Sequence, residues 1–182
     1  MNATIAYGLL AHGLIFGALV TLLPLGILRQ RAALAATALA LLAGIAPVMH
    51  GVFGTPSVTL LLLAIYRLAD REPSPLSYRP ALGLLIFSLP FYAASLGVGS
   101  FDPYTLGYQP ISLLTALIPL AAALWWRRQT IWLLIISIDL AAYTSGVFAN
   151  LWDVLLDPLL VLLALTIVCR QGIIKIIAAR NR

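Results

Sequence analysis

Long apolar runs, separated by short charged segments, organise this chain of 182 residues. A helix needs about 20 mostly apolar residues to cross the roughly 30 Å hydrocarbon core of a bilayer, so such runs predict membrane helices. The runs place seven spans, at about 4–28, 32–48, 54–68, 81–99, 111–126, 130–149 and 158–170. The pattern predicts an all-α protein, a polytopic transmembrane bundle that forms one integral-membrane domain over residues 1–182.

The second and third spans share one uninterrupted apolar stretch. From Ala32 to Tyr66 the only side chain able to carry a charge is that of His50. As a single helix this stretch would be about 52 Å long, too long for one crossing. Pro47–Pro56 contains two prolines and two glycines and is the natural turn. A re-entrant segment is the competing interpretation of 54–68.

Composition agrees with a membrane protein, because 62% of the residues are apolar and 9% are charged. This excludes a disordered segment, a nucleic-acid-binding module and a soluble enzyme with a charged surface. The net charge of +5 follows from topology under the positive-inside rule. With the N-terminus outside and seven crossings, every cation faces the cytoplasm: Arg29, Arg31, Arg67, Arg71, Arg79, Arg127, Arg128, Arg170, Lys175, Arg180 and Arg182. We therefore expect a cytoplasmic C-terminus and insertion in the inner (cytoplasmic) membrane.

The sixth span contains a series of polar positions at helical spacing. Asp139, Tyr143, Gly146, Asn150, Asp153 and Asp157 follow one another at intervals of three or four residues. On a continuous helix they would share one face, with Asp139 about 13 Å inside the core. A carboxylate at that depth needs a partner, and His12 in the first span lies at a compatible depth. We predict that Asp139, His12, Tyr143, Asn150 and Asp157 form a binding site or a proton or cation relay.

Structural alternatives exist for the two residues at the centre of that relay. A protonated Asp139 can fix helix packing through one hydrogen bond to a neighbouring helix. His12 can equally bond a backbone carbonyl or a hydroxyl group. The sequence does not decide between these interpretations.

A second polar group lies on the predicted outer loops, which carry acidic residues and no cation. Asp102, Asp153 and His50 are candidate catalytic residues, acting as acid, base or metal ligands on a lipid-linked substrate. Simpler roles compete with this interpretation. Asp102 precedes a proline in a turn, and Asp157 followed by Pro158 is a typical helix start. The aromatic residues nearby, Trp152, Tyr104 and Tyr108, suit an interfacial belt.

These features favour a small transport component, or an accessory or scaffold subunit, with a polar site in the outer half of the bundle. The alternative is a membrane enzyme that acts on a lipid or lipid-linked head group at the extracytoplasmic face. We expect contacts with membrane lipids and with a membrane-protein partner or a second copy of the chain, and none with nucleic acid. Two histidines and one cysteine predict neither a cofactor nor a metal site. Gly13 and Gly17 form a GxxxG pair that predicts a close helix contact.

Overall fold

The computed structural model of the chain describes residues 2–69 and 73–180. Within these ranges all regular secondary structure is helical and no strand occurs, which confirms the all-α prediction. The helices are α1 Ala3–Val20, α2 Arg29–Leu42, α3 Ile45–Phe53, α4 Val58–Leu68, α5 Tyr78–Ser95, α6 Ile111–Trp126, α7 Thr130–Thr144, α8 Leu151–Leu155 and α9 Pro158–Arg180. Short 3₁₀ helices occupy Gly26–Leu28 and Pro103–Gly107. The predicted cytoplasmic residues Asp70, Arg71, Glu72 and Arg182 lie outside the described residues.

Few of these helices are long enough to cross a bilayer unaided. In the described residues, Ala3–Val20 and Leu151–Ala179 meet the length and composition of a membrane span, and a bent pair, Gly26–Leu42 with Ile45–Phe53, makes a third. Apolar helices α4, α6 and α7 have 11, 16 and 15 residues. They are about 16–24 Å long, shorter than the roughly 30 Å core. Two or three membrane helices are therefore supported, and the predicted count of seven is not confirmed.

The second predicted span, 32–48, is broken near its end. Helix α2 stops at Leu42, and α3 starts at Ile45 after a bend of 74°. Gly44 makes this bend with φ +80°, a backbone conformation that glycine adopts without steric cost. Pro47 then lies in the first turn of α3, where its missing N–H has no helical partner to lose. The turn predicted at Pro47–Pro56 therefore begins earlier and contains a short helix.

Three other boundaries differ from the predicted spans. Helix α1 ends at Val20 instead of residue 28, because Pro24 follows and disfavours helix before it. Helix α7 ends at Thr144, and Gly146 with φ +76° reverses the chain. The polar series from Asp139 to Asp157 is therefore not carried on one helix. In contrast, α9 runs ten residues past the predicted end, where Lys175 Nζ lies 4.6 Å from the ring centre of Tyr78.

Helix α1 packs closely against α2, as the GxxxG pair predicts. A Cβ atom on Gly13 would come within 2.9 Å of Leu41, and one on Gly17 would collide with the Thr37 hydroxyl and the Ala33 carbonyl. Both glycines are buried. Only a residue without a side chain allows the two backbones to approach this closely.

The remaining core forms around α4, which contacts α1, α7, α8 and α9, while α5 packs along α9. Its centre includes the fully buried Leu151, Val154, Leu160 and Ala164. Large apolar side chains nevertheless cover much of the exterior, and Trp126 on α6 is 88% exposed. Water-soluble monomers rarely expose apolar patches of this extent.

Candidate functional site

The segment from Asn150 to Asp157 builds a polar site between α7 and α9. Asn150 is the N-cap of α8, and its Oδ1 accepts a hydrogen bond of 2.9 Å from the Trp152 backbone N–H. Helix α8 ends after five residues because Leu156 is extended, with φ −145° and ψ 134°. This break leaves Asp157 to start the next helix, so two caps lie seven residues apart.

Asp157 joins two helices through its carboxylate. Oδ1 accepts from the Leu160 N–H at 2.7 Å and so caps α9. Oδ2 accepts from the Ser57 N–H at 2.5 Å, at the residue that caps α4. The predicted helix-start role of Asp157 is confirmed, and its contact with α4 is an additional finding. The positive ends of two helix dipoles lie at this carboxylate and offset its charge.

The 3₁₀ helix Pro103–Gly107 packs against α8 and its N-cap through two hydrogen bonds to backbone carbonyls. Trp152 Nε1 donates to the Pro103 carbonyl at 3.0 Å, and Asn150 Nδ2 donates to the Tyr104 carbonyl at 3.1 Å. Gly107 lies so close to Asn150 that a Cβ atom there would overlap the amide. Asp102 caps the 3₁₀ helix by accepting from the Tyr104 N–H at 2.9 Å, which confirms its predicted turn role. The Asp102 side chain is exposed, and this hydrogen bond lies within its own turn.

A cavity of about 300 Å³ lies between these elements, the α3–α4 connection and α5. Its walls are largely aromatic, from Phe53, Phe91, Tyr92, Tyr104 and Trp152. The rings of Phe91 and Trp152 pack with centroids 4.6 Å apart. Its polar lining comes from Thr55, Asp153 and Asp157. The volume lies at the lower end of the roughly 300–1,000 Å³ range for ligand pockets.

Asp153 supplies the accessible charge of this cavity. Its Oδ1 accepts a hydrogen bond of 2.6 Å from the Tyr104 hydroxyl, and no other hydrogen bond to its side chain occurs in the described part of the chain. Burial, followed by this hydrogen bond, raises the pKa of the Tyr104 hydroxyl above its ordinary value. Tyr104 therefore stays a protonated donor at neutral pH and holds Asp153 in place.

The two histidines meet at one backbone carbonyl near the end of α3. His12 Nε2 lies 2.9 Å from the Gly54 oxygen, and His50 Nδ1 lies 3.1 Å from the same atom. Their ring centroids are 5.9 Å apart. Gly8 leaves the room for His50, since a Cβ atom there would contact the ring. His12 thus has the backbone partner that the simpler interpretation proposed.

Asp139 is fully buried and bonds α4 rather than α1. Thr59 Oγ1 donates to Asp139 Oδ2 at 2.7 Å, and Oδ1 has no hydrogen-bond partner among the described residues. His12 bonds the Gly54 carbonyl and Asp139 bonds the Thr59 hydroxyl, and the two residues do not bond each other. Tyr143 packs at the edge of the core and takes no part in either contact.

The predicted site residues therefore do not form one site. Asp153 and Asp157 line the cavity, and Asn150 bonds the carbonyl of the lining residue Tyr104. His12 and His50 share a carbonyl, Asp139 bonds Thr59, and Asp102 and Tyr143 lie apart from these groups. Of the candidate catalytic group Asp102, Asp153 and His50, only Asp153 lines the cavity. Sequence reasoning missed Phe91, Tyr92 and Thr55 altogether and treated Tyr104 as a belt residue. These residues share one sequence feature, an aromatic or hydroxyl side chain near a helix end. That feature alone does not indicate a binding site.

No group of three or more His, Cys, Asp or Glu side chains in the described ranges is arranged to hold a metal ion. The chain also matches no family model, no curated protein and no solved structure.

Proposed function

We propose that the chain is a small multi-pass component of a membrane transport system, as a transport or accessory subunit, that takes a polar ligand at its extracytoplasmic cavity. The observation that carries this proposal is the cavity of about 300 Å³ with Asp153 on its wall. The Asp153 carboxylate is held in place by one hydrogen bond from the Tyr104 hydroxyl and lines an aromatic pocket, so it can serve as a binding group. Asp157, in contrast, is occupied by two helix starts.

The proposal includes seven membrane-inserted segments in the inner membrane, with the N-terminus outside and the C-terminus in the cytoplasm. They are α1, α2 with α3, α4, α5, α6, α7 and α9. Short helices such as α4 fit a bilayer when it thins locally or when they lie inside a bundle. In this topology all cations face inward, and the cavity lies at the outer, acidic end.

Helix α6 supports a role beside other membrane components. Only Leu113 is buried among its 16 residues, and among regular elements it contacts mainly α7 and the 3₁₀ helix. Most of its apolar surface is therefore left for membrane lipids, a partner protein or a second copy of the chain.

Ligand retention during purification tests the proposal. Wild type, Asp153→Asn and the control Asp102→Asn are purified in a mild maltoside detergent, and bound molecules are identified by mass spectrometry. Asp102→Asn makes the same chemical change outside the cavity and keeps a good capping residue. We expect a small molecule or lipid in wild type and the control, and its loss from Asp153→Asn. Equal contents in all three proteins would contradict the proposal.

A second candidate, an enzyme acting on a lipid or lipid-linked head group, is favoured by the hydrogen bond between Tyr104 and Asp153. This pair joins a proton donor and a carboxylate on the cavity wall, within the reach that acid–base catalysis requires. The same preparations distinguish the two functions. An enzyme returns its bound molecule chemically altered after incubation, and Tyr104→Phe abolishes that change; a binding component returns it intact.

A further inference from the structure

We propose that the outer cavity selects an organic ammonium group, either a quaternary ammonium or a primary amine, as its ligand. The inference rests on the proposed function, because it names the chemical class of the molecule that the cavity takes. Two sources carry this chemistry: the head group of a zwitterionic lipid and a free amine.

The charge of the cavity favours a cation. Among the described residues, no Lys, Arg or His lines it. The carboxylate of Asp157 is offset by the starts of α4 and α9, but within residues 2–69 and 73–180 that of Asp153 receives only the Tyr104 hydroxyl. A ligand that enters therefore meets one uncompensated negative charge, and an anionic ligand would find no partner.

The walls favour an organic cation over a metal ion. A hard divalent cation needs six or more oxygen ligands, or several carboxylates in a rigid shell. The carboxylate of Asp157 is occupied by two helix starts, which leaves that of Asp153, and half of the ten lining residues are aromatic. Aromatic faces attract ammonium groups within about 6 Å of the ring centroid, and quaternary ammonium recognition uses such rings together.

Two of the rings are held in position by hydrogen bonds and by packing against neighbouring side chains. Trp152 is fixed by its Nε1 hydrogen bond to Pro103 and by packing on Phe91. Tyr104 is fixed by Asp153 and by the amide of Asn150 on its carbonyl. A preformed aromatic wall loses little conformational entropy on binding. The small volume limits the bound part to a head group rather than a bulky molecule.

Binding of choline to the purified full-length protein tests the inference, with 3,3-dimethyl-1-butanol as the probe of equal shape and no charge. Isothermal titration is performed in maltoside detergent, which carries no ammonium group. We expect choline to bind wild type and Asp102→Asn alike and at least about tenfold more weakly to Asp153→Asn. Trp152→Leu, which removes one aromatic face, is also expected to weaken binding. The neutral alcohol is expected to bind at least about tenfold more weakly than choline.

The lipid arm uses nanodiscs of phosphatidylcholine and of digalactosyldiacylglycerol, an uncharged lipid without an ammonium group. Weaker binding of free choline in phosphatidylcholine discs identifies the lipid head group as the source, because the lipid then competes. Equal binding in both discs identifies a free amine.

Equal affinity for choline and the neutral alcohol, or unchanged binding in Asp153→Asn, would overturn the inference. Failure of the inference and failure of the proposed function are distinguishable. If a molecule without an ammonium group co-purifies with wild type and is lost from Asp153→Asn, the binding function stands and the ligand class is wrong. A correctly folded variant is recognised by a melting temperature close to that of Asp102→Asn.

Discussion

The double cap formed by Asp157 predicts that this residue contributes more to stability than any exposed acidic residue. Asp157→Ala removes the N-cap of α9, a loss of about 0.5–2 kcal/mol. It also leaves the buried Ser57 N–H without an acceptor, which costs about 1–3 kcal/mol. We therefore expect a combined loss of about 2–4 kcal/mol in the free energy of unfolding.

Thermal unfolding in detergent, followed by intrinsic tryptophan fluorescence, measures this loss. In a chain of this length about 1 kcal/mol lowers Tm by about 2–4 °C, so Asp157→Ala is expected to lower Tm by about 5–15 °C. Asp157→Asn should give a smaller decrease, because its single amide oxygen can cap α9 but its NH₂ group faces the Ser57 N–H. Asp102→Ala is the matched control, an exposed cap on a five-residue 3₁₀ helix. If Asp157→Ala melts within about 2 °C of that control, the double cap is refuted.

Three further predictions test the packing, the buried carboxylate and the topology. Gly17→Ala should destabilise the protein by about 1–3 kcal/mol, since its Cβ meets α2, whereas Gly83→Ala has open space and should not; equal melting temperatures would contradict the close contact. Thr59→Val removes the hydrogen bond that the buried Asp139 carboxylate accepts from α4 and should cost about 0.6–1.7 kcal/mol, with Thr59→Ser restoring stability by the same melting assay. The topology is tested in right-side-out vesicles that carry the Cys169→Ser background. Ser100→Cys should react directly with an impermeant maleimide, whereas Ala178→Cys should react only after permeabilisation. The opposite result would mean that the topology is inverted.

The sequence was sufficient for the helical class and for those roles that depend on nearest neighbours. Asp102 before Pro103 and Asp157 before Pro158 both cap helices, because capping is decided by the residues immediately along the chain. Gly13 and Gly17 likewise revealed the contact of α1 with α2. Features that depend on neighbouring residues can therefore be predicted from the sequence.

The helix lengths and the site were harder to predict from the sequence, because both depend on tertiary contacts. Hydropathy does not distinguish a continuous span from the bent pair around Gly44, where one residue with φ +80° redirects the chain. Candidate site residues grouped by helical spacing were separated once α7 ended at Thr144. Tyr104 and Asp153 are 49 residues apart and meet only because the 3₁₀ helix folds onto α8. Sequence periodicity does not predict a contact between residues so far apart in the chain.

A cavity that faces outward with a negative charge on its wall is expected to prefer organic cations. The ratio of the reaction rates of Thr55→Cys with two reagents tests both properties. One reagent is the cationic trimethylammonium-ethyl methanethiosulfonate, and the other is the anionic sulfonatoethyl methanethiosulfonate. Thr55 lines the cavity, and both reagents are membrane-impermeant, so the reaction in right-side-out vesicles of the Cys169→Ser background reports the outer face. Ser100→Cys gives the intrinsic ratio outside the cavity.

A unit charge at about 4–8 Å in a partly solvated site contributes about 1–2 kcal/mol, which is about tenfold in local reagent concentration. We therefore predict a ratio at least about tenfold above that of Ser100→Cys, falling to the Ser100→Cys value when Asp153→Asn is added. Absence of labelling from outside would contradict an outward-facing cavity. A ratio that Asp153→Asn leaves unchanged would contradict the preference for cations.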